Sequence, residues 1–287
     1  GLILASNFSV YRSPDKLNIK SGGKGISMDD RPLWIPNAQR VAATQVMDFM
    51  AQVNARHGTS LKSYKELHAW SVAHPDLFWD RVWDYCGVIG EKGTRKLIDG
   101  DKMPGATFFP DAQINFAENL LRKKGVGDAL VFRGEDKVSY RLSWDELHAL
   151  VSRAQQALKA EGIGKGDRVA AMLPNLPESV ALMLAVTSLG AIWSSCSPDF
   201  GERGVLDRFG QIEPKLFIAV DGYWYNGKAI DLTQRLTAIA NELPTARKVV
   251  IVPYLKTADK VVAALPRAVT LDAFLKDFSA RPVTFER

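Results

Sequence analysis

Cysteine is scarce in this sequence, and no apolar run is long enough to cross a membrane. The only cysteines, Cys86 and Cys196, lie far apart in the chain, and the histidines are not clustered. This pattern excludes a disulfide framework and a Cys/His zinc site of the usual spacing, so we expect a reducing cytoplasm. The longest apolar stretch, residues 180–193, is shorter than the roughly 20 residues that a bilayer requires. No membrane segment is predicted.

Charge of one sign is not in large excess either. The formal net charge is +5, and residues 1–27 supply +3 of it, so +2 remains for the rest of the chain. A basic face for nucleic acid is therefore not predicted. The composition, 46% apolar and 24% charged, is that of a globular protein large enough for two packed units or an α/β domain with an extension.

Three regions differ in their sequence pattern. Residues 1–27 lack periodicity and end in a Ser-Gly-Gly-Lys-Gly stretch, which is typical of a linker or an expression tag, so we expect the natural start at Met28. Residues 28–127 read as a helical extension and connector. Residues 128–287 read as an α/β subdomain.

Three helices are predicted in the extension. Apolar residues recur at helical spacing over residues 38–56, and Gly58 follows in the position of a C-cap. Ser63 and Glu66 form an S-x-x-E capping box before a second helix, and Pro75 suits the first turn of a third.

The connector, residues 87–127, is rich in Gly, Lys and Pro. After it, short apolar runs alternate with helical stretches, which predicts a parallel sheet flanked by helices. Strands are predicted over residues 129–133, 138–142, 168–173, 191–196, 216–220 and 249–252. Helices are predicted to begin at Ser143, at Asn175 and Pro177, at Asp199 and near residue 231. Helix ends are predicted at Gly162, at Pro214 and near residue 241.

One motif resembles a phosphate-binding loop. Residues 222–228 fit the pattern GxxxxGK between a predicted strand and a predicted helix. Ala229 stands where such a loop needs a Ser or Thr hydroxyl for magnesium, and three aromatic residues fill the loop, so a nucleotide loop is not predicted. Lys228 beside a helix N-terminus would still form an anion site, unless it is a solvated loop lysine.

Other candidates for chemistry are weaker. Residues 162–167 follow a helix and precede a strand, the reverse of a dinucleotide loop, so they are predicted to form a turn. Cys196 ends a predicted strand without a local base, which makes it a poor nucleophile. The histidines lack a partner at catalytic spacing and are predicted to be structural: His57, His68, His74 and His148.

Three stretches resemble the adenylate-forming acyl-CoA synthetases. Residues 64–84, YKELHAWSVAHPDLFWDRVWD, resemble the N-terminal extension of the short-chain members. Residues 162–178, GIGKGDRVAAMLPNLPE, resemble the first core strand and helix of the family. Residues 189–201, LGAIWSSCSPDFG, are similar to the acetoacetate-activating branch, whereas acetyl-type members carry Gly-Gly-Phe at Pro198-Asp199-Phe200.

The resemblance implies a two-step ligation. ATP, with Mg²⁺, and acetoacetate give an acyl-adenylate and pyrophosphate, and coenzyme A then displaces AMP. Family members use a Ser/Thr/Gly-rich loop ending in Pro-Lys and a late lysine. The only Pro-Lys here, Pro214-Lys215, follows Gln-Ile-Glu. We therefore expect this chain to be the first part of the enzyme, inactive alone and without catalytic or metal-binding residues.

A coenzyme A contact is implied within this part. In acetyl-type members, the loop matching residues 222–228 and the Gly-Gly-Phe turn contact the phosphates and adenine of coenzyme A. Lys228 matches a phosphate-binding arginine of that loop, and Tyr225 replaces another. The predicted contacts, for at most weak binding by this chain, are Tyr225, Asn226, Gly227, Lys228, Asp199 and Phe200.

Two alternatives remain open at this point. The parent enzyme could activate acetate or propionate, because the acyl pocket is expected outside this chain. The chain could also be a non-catalytic module for coenzyme A binding or assembly. The sequence predicts no oligomeric state.

Overall fold

The computed structural model describes residue 32 and residues 34–287 of the chain. The predicted linker over residues 1–27 and the predicted start at Met28 lie outside this part. The described residues divide into two compact units, one that ends at Ser60 and one of residues 61–287. No helix in the described part is long and apolar enough to cross a membrane.

The described part of the first unit contains two helices, α1 (Ala38–Ala42) and α2 (Gln45–His57). The prediction of one helix over residues 38–56 is wrong at residues 43–44, near its start. Thr44 has an extended backbone there, and its hydroxyl donates to the carbonyl of Val41 at 2.7 Å. A threonine bonded to a nearby carbonyl competes with helical hydrogen bonds, and the helix breaks. The predicted C-cap is confirmed, because Gly58 is left-handed with φ 64°.

The second unit begins with helices α3 (Tyr64–Ala73) and α4 (Pro75–Tyr85). Ser63 caps α3 by accepting from the Glu66 N–H, as predicted. The Glu66 carboxylate accepts from Lys62 rather than from the cap residue, so the capping box is only half formed. Pro75 occupies the first turn of α4, as predicted.

The predicted connector has regular structure. Two antiparallel ladders and a short helix occupy it: β1 (Gly90–Glu91) with β4 (Gln113–Ile114), β2 (Leu97–Ile98) with β3 (Thr107–Phe108), and α5 (Phe116–Leu120). Aromatic contacts attach it to α4. The Trp83 and Phe109 rings lie 5.1 Å apart, and Lys92 bridges Asp80 and Asp84. Two-residue strands are too short to show a period in the sequence.

Two predicted strands do not belong to the parallel sheet. β5 (Asp128–Gly134) and β6 (Val138–Ser143) pair with each other in an antiparallel hairpin. Only residues 135–137 separate them, and a parallel crossover needs a dozen residues or more. Their inclusion in the parallel sheet was the error, whereas their positions are correct.

The core of the second unit is a five-stranded parallel sheet of order β13-β12-β9-β7-β8. The predicted α/β class is confirmed. The strands are β7 (Arg168–Met172), β8 (Ile192–Cys196), β9 (Leu216–Val220), β12 (Lys248–Val252) and β13 (Ala268–Thr270). Strands β9 and β12 are almost continuously apolar and buried, as expected of a sheet covered on both faces.

Six helices accompany the sheet: α6 (Trp144–Ala160), α7 (Pro177–Ser188), α8 (Glu202–Phe209), α9 (Thr233–Asn241), α10 (Ala258–Ala264) and α11 (Leu271–Leu275). Helix α6 packs on α7 and α11, whereas α9 packs on α8 and α10. The capping box of Ser143 and Glu146 is complete. Helix α7 starts at Pro177 with Leu176, not Asn175, as its N-cap, and it is buried almost all round.

Helix α8 differs from its prediction at both ends. Gly201, rather than Asp199, is the N-cap residue, because the Asp199 carboxylate accepts from the Ser197 hydroxyl at 3.1 Å. The helix ends at Phe209, well before Pro214. After β12 the structure contains β13 and α11, which the sequence did not predict. Both are too short to show a hydrophobic period.

Asp221 ties the carboxyl ends of two strands together. It follows β9 and is fully buried. Its carboxylate accepts from the N–H groups of Tyr254, Leu255 and Thr257 at 2.7 to 2.9 Å, and from the Thr257 hydroxyl at 3.1 Å. These donors belong to the loop between β12 and α10. One buried charge therefore fixes the loop in which the neighbouring strand ends.

Replacing Asp221 with asparagine is expected to lower the free energy of unfolding by about 2–4 kcal/mol, because the amide nitrogen cannot accept and leaves buried donors unpaired. Urea denaturation followed by circular dichroism measures the change. Asp277→Asn, at an exposed position after α11, is the matched control and should change the value by less than about 0.5 kcal/mol. Equal stability of the two variants would contradict the role of Asp221.

Candidate functional site

The carboxyl ends of the parallel strands define the candidate site. Open α/β sheets bind ligands at this edge, where the loops leave the strands. Two segments lie there. The edge turn, residues 197–201, follows β8. The edge hairpin, residues 222–231, follows β9 and consists of β10 (Gly222–Tyr225) and β11 (Lys228–Asp231).

The edge hairpin replaces the phosphate-loop-like motif. Tyr225 pairs with Lys228, and the two residues between them, Asn226 and Gly227, have φ of 50° and 73°. An Asn-Gly pair with positive φ is the preferred two-residue hairpin turn. Lys228 therefore starts a strand, and the helix begins only at Thr233. The predicted anion site at a helix N-terminus is wrong.

Both ends of the edge hairpin are anchored. A side chain on Gly222 would place its Cβ 2.4 Å from a Leu255 methyl group, so this position requires glycine. At the other end, the Asp231 carboxylate accepts from the Thr233 N–H at 2.7 Å and from the Lys260 ammonium at 2.9 Å. Hydrogen bonds from Thr233, and then Lys260, lower the pKa of Asp231 to about 2.

The edge turn is braced against the hairpin. Arg235, on α9, donates to the carbonyl of Pro198 at 2.9 Å and to that of Phe200 at 3.4 Å. Burial raises the pKa of Tyr223 in the hairpin, and the nearby Asp199 carboxylate raises it further. The guanidinium of Arg208 lies 4.4 Å from the centre of the Phe200 ring. Turn, hairpin and helix thus form one braced unit.

The tip of the hairpin formed by β5 and β6 contacts the tip of the edge hairpin. The Glu135 carboxylate, between β5 and β6, accepts from the backbone N–H groups of Asn226 at 2.7 Å and Gly227 at 2.8 Å. A Cβ on Gly134 would lie 2.1 Å from the Tyr254 hydroxyl, so the tip approaches the sheet edge closely. The amides at the tip of the edge hairpin therefore already hold an anion.

All six residues predicted to contact a ligand lie at this edge of the sheet. They are exposed: Asp199 and Phe200 on the edge turn, and Tyr225, Asn226, Gly227 and Lys228 at the tip of the edge hairpin. The sequence did not indicate the bracing residues Glu135, Tyr223 and Arg235. Their partners are distant in the chain, and no local motif marks them.

Two of the remaining candidates make structural contacts. Residues 162–167 form the predicted turn, in which Gly162 is left-handed and Asp167 accepts from the Gly164 N–H. His148 contacts the carbonyl of Lys123 at 2.8 Å. Within the described residues, no group of three or more His, Cys, Asp or Glu side chains is placed to hold a metal ion.

Cys196 is a poor nucleophile, as predicted. It is buried at the end of β8, and burial raises the pKa of its thiol to about 11. The thiolate, which is the reactive form, is scarce at neutral pH for such a group.

Sequence comparison gives the class of protein. The family model described as "AMP-binding enzyme" matches residues 118–273, more than half of the chain, and the model "Acetyl-coenzyme A synthetase N-terminus" matches residues 64–120. The parallel sheet with its braced carboxyl edge lies within the first match. The chain belongs to the AMP-binding enzyme family.

Particular relatives are acetoacetyl-CoA synthetases. The chain is 58% identical over 260 residues to that of Rhizobium meliloti (strain 1021), covering 90% of this chain and 39% of the relative. That of Xenopus tropicalis is 37% identical over 254 residues, with 86% and 37% covered. The solved structure of acetoacetyl-CoA synthetase from Streptomyces lividans aligns with TM-score 0.81 at 38% identity, with 89% and 39% covered. The chain spans about two fifths of these relatives.

The two thiols should react very differently. At pH 8, a disulfide reagent such as dithionitrobenzoate is expected to modify the exposed Cys86 at least about tenfold faster than Cys196, which is buried and mostly protonated. Stopped-flow absorbance traces measure the fast and slow phases of thiol modification. Cys86→Ser should remove the fast phase and leave the slow one. A fast phase that persists in this variant would contradict the burial of Cys196.

Asp231 should stabilise the fold in a pH-dependent manner. Its folded pKa of about 2 lies below the unfolded value of roughly 3.9, so the contribution is present above pH 4 and is lost as pH falls through 2. Asp231→Asn should lower stability at pH 7 by less than about 1 kcal/mol, because the side chain is half exposed. Urea midpoints at pH 7, 4 and 2.5 measure this. A difference that does not shrink towards pH 2.5 would refute the assignment.

Proposed function

We propose that this chain is the N-terminal portion of an ATP-dependent acetoacetate:CoA ligase. The observation that carries the proposal is the 58% identity to an acetoacetyl-CoA synthetase over 90% of the chain. The fold likeness to a second such enzyme supports it. The parent reaction has two steps. The acetoacetate carboxylate attacks the α-phosphate of ATP and releases pyrophosphate, and the coenzyme A thiolate then attacks the acyl carbonyl and releases AMP.

The role of this chain in that reaction is to position coenzyme A. Lys228 would pair with a phosphate of coenzyme A, because ammonium and phosphate form charge-assisted hydrogen bonds. Tyr225, 65% exposed, and Phe200, 38% exposed, offer aromatic faces on which an adenine can stack. Asn226, Gly227 and Asp199 supply polar groups beside them. The bracing by Arg235 and Tyr223 supports this role, since it holds turn and hairpin in one arrangement.

The chemical step is assigned to later sequence of the parent enzyme. Pro214-Lys215 is no phosphate loop, because Pro214 is buried and the Lys215 ammonium pairs with Asp167 at 2.5 Å. The described residues include no group of three or more His, Cys, Asp or Glu side chains placed to hold a metal ion. We therefore propose that ATP, Mg²⁺ and the acyl group bind outside this chain, and that the chain alone performs no ligation. A cytoplasmic location is part of the same proposal, in keeping with two free cysteines.

Lys228→Ala should weaken coenzyme A binding about fivefold, the worth of one charge-assisted contact at an exposed site. Calorimetry with this chain measures the Kd. In the full-length enzyme the KM for coenzyme A should rise by a similar factor, while the KM for ATP stays unchanged.

The matched control is Lys276→Ala, which removes an exposed lysine beyond the end of α11. It should leave both constants unchanged. Equal effects of the two substitutions, or an equal rise in the two KM values for Lys228→Ala, would argue against a coenzyme A site at the edge hairpin.

A further inference from the structure

The contact between the two hairpin tips is an anion site that the protein fills with its own side chain. Asn226 and Gly227 direct two successive N–H groups at the Glu135 carboxylate. Successive amides in a tight turn form a concavity that binds anions. Each of the two Glu135 carboxylate oxygens accepts a hydrogen bond from one amide, and two oxygens of a phosphate group could accept from the same two amides.

We propose that Glu135 is an internal competitor for the phosphate of coenzyme A at the tip of the edge hairpin. This inference rests on the proposed function and adds a regulatory residue to that site. In the resting chain Glu135 occupies the tip amides, and a phosphate group binds there only when the carboxylate leaves.

The backbone presents Glu135 for this contact. Its φ is 51°, a conformation that a glutamate rarely adopts. A Cβ on the neighbouring Gly134 would lie 2.1 Å from the Tyr254 hydroxyl, so a side chain fits there only if Tyr254 moves. Glu135 therefore stands at a tip that is pressed against the sheet edge, and its side chain is not on a freely moving loop.

The contact is also easy to break. Glu135, Asn226 and Gly227 are all exposed, so water can solvate each group when they separate. Exposed ionic contacts contribute little to stability, so the Glu135 contact costs little to break. A phosphate also carries more charge than the carboxylate that it would replace. Lys228 adjoins the turn and favours the more highly charged anion. Displacement by phosphate is therefore favoured over displacement by a carboxylic acid.

The test compares two charge-matched variants of the same turn. Glu135→Gln removes the competing charge, and its amide nitrogen cannot accept an N–H. Asp136→Asn removes one charge from the next residue, which pairs with Lys137 and does not contact the tip amides. Each variant and the unmodified chain are titrated with inorganic phosphate and, separately, with coenzyme A. The readouts are the NMR shifts of the Asn226 and Gly227 amides and the Kd.

Glu135→Gln should bind both ligands about threefold to tenfold more tightly than Asp136→Asn, since it frees two charge-assisted hydrogen bonds. The two amides should shift with phosphate in Glu135→Gln at lower concentration than in the other chains. If Glu135→Gln folds poorly, Glu135→Asn replaces it in the test. Asparagine is shorter and tolerates positive φ, and this variant should bind the ligands as Glu135→Gln does.

The outcomes separate this inference from the proposed function. Coenzyme A binding with equal Kd in Glu135→Gln and Asp136→Asn overturns the inference and leaves the function standing. Tighter phosphate binding in Glu135→Gln, with no coenzyme A binding by any variant, overturns coenzyme A as the ligand, here and in the proposed function, and leaves only competition for inorganic phosphate. Weaker binding in Glu135→Gln overturns the inference, because Glu135 would then position the tip for the ligand.

Discussion

The buried carboxylate of Asp221 is the interaction on which the carboxyl edge of the sheet depends. A buried charge is costly unless donors surround it, and here three backbone N–H groups and one hydroxyl do so. All four donors come from the loop after β12, while the carboxylate comes from the end of β9. The same residue leads directly into Gly222, where the edge hairpin begins. The position of the loop and the start of the hairpin are therefore set by a single group.

A series of contacts connects Asp221 to the edge hairpin and to the edge turn. Asp221 holds the loop after β12, and Leu255 of that loop packs on Gly222. The hairpin then contacts the edge turn through Tyr223 and Asp199, and Arg235 fixes the turn from α9. The exposed residues at the tip and on the turn thus stand on a braced base. Such a base is suited to a coenzyme, whose binding is favoured when the groups that contact it are ordered beforehand.

Much of the α/β core could be predicted from the sequence, because its elements are long enough to show a period. The strands β7, β9 and β12 are apolar runs, and α6 carries a complete capping box at Ser143. The two-residue strands of the connector and the short β13 carry no such signal. The antiparallel pairing of β5 and β6 could have been inferred from the short segment between them. The hydrophobic pattern of a strand alone does not distinguish parallel from antiparallel pairing.

The site was only partly predictable for a related reason. Asn226-Gly227 is a strong local hairpin signal, and it competed with a loop motif that spans the same residues. The bracing contacts have no local signal at all. Arg235 reaches its carbonyl partner across 37 positions and Glu135 reaches Asn226 across 91. Such pairs arise from the fold, so a single sequence cannot reveal them.

A map of backbone amide shifts in this chain during titration with coenzyme A shows most directly whether coenzyme A binds at the carboxyl edge of the sheet. We expect the shifts to concentrate in the edge turn, residues 197–201, and the edge hairpin, residues 222–231. Shifts confined to the opposite edge of the sheet, for instance in residues 162–167, would contradict it.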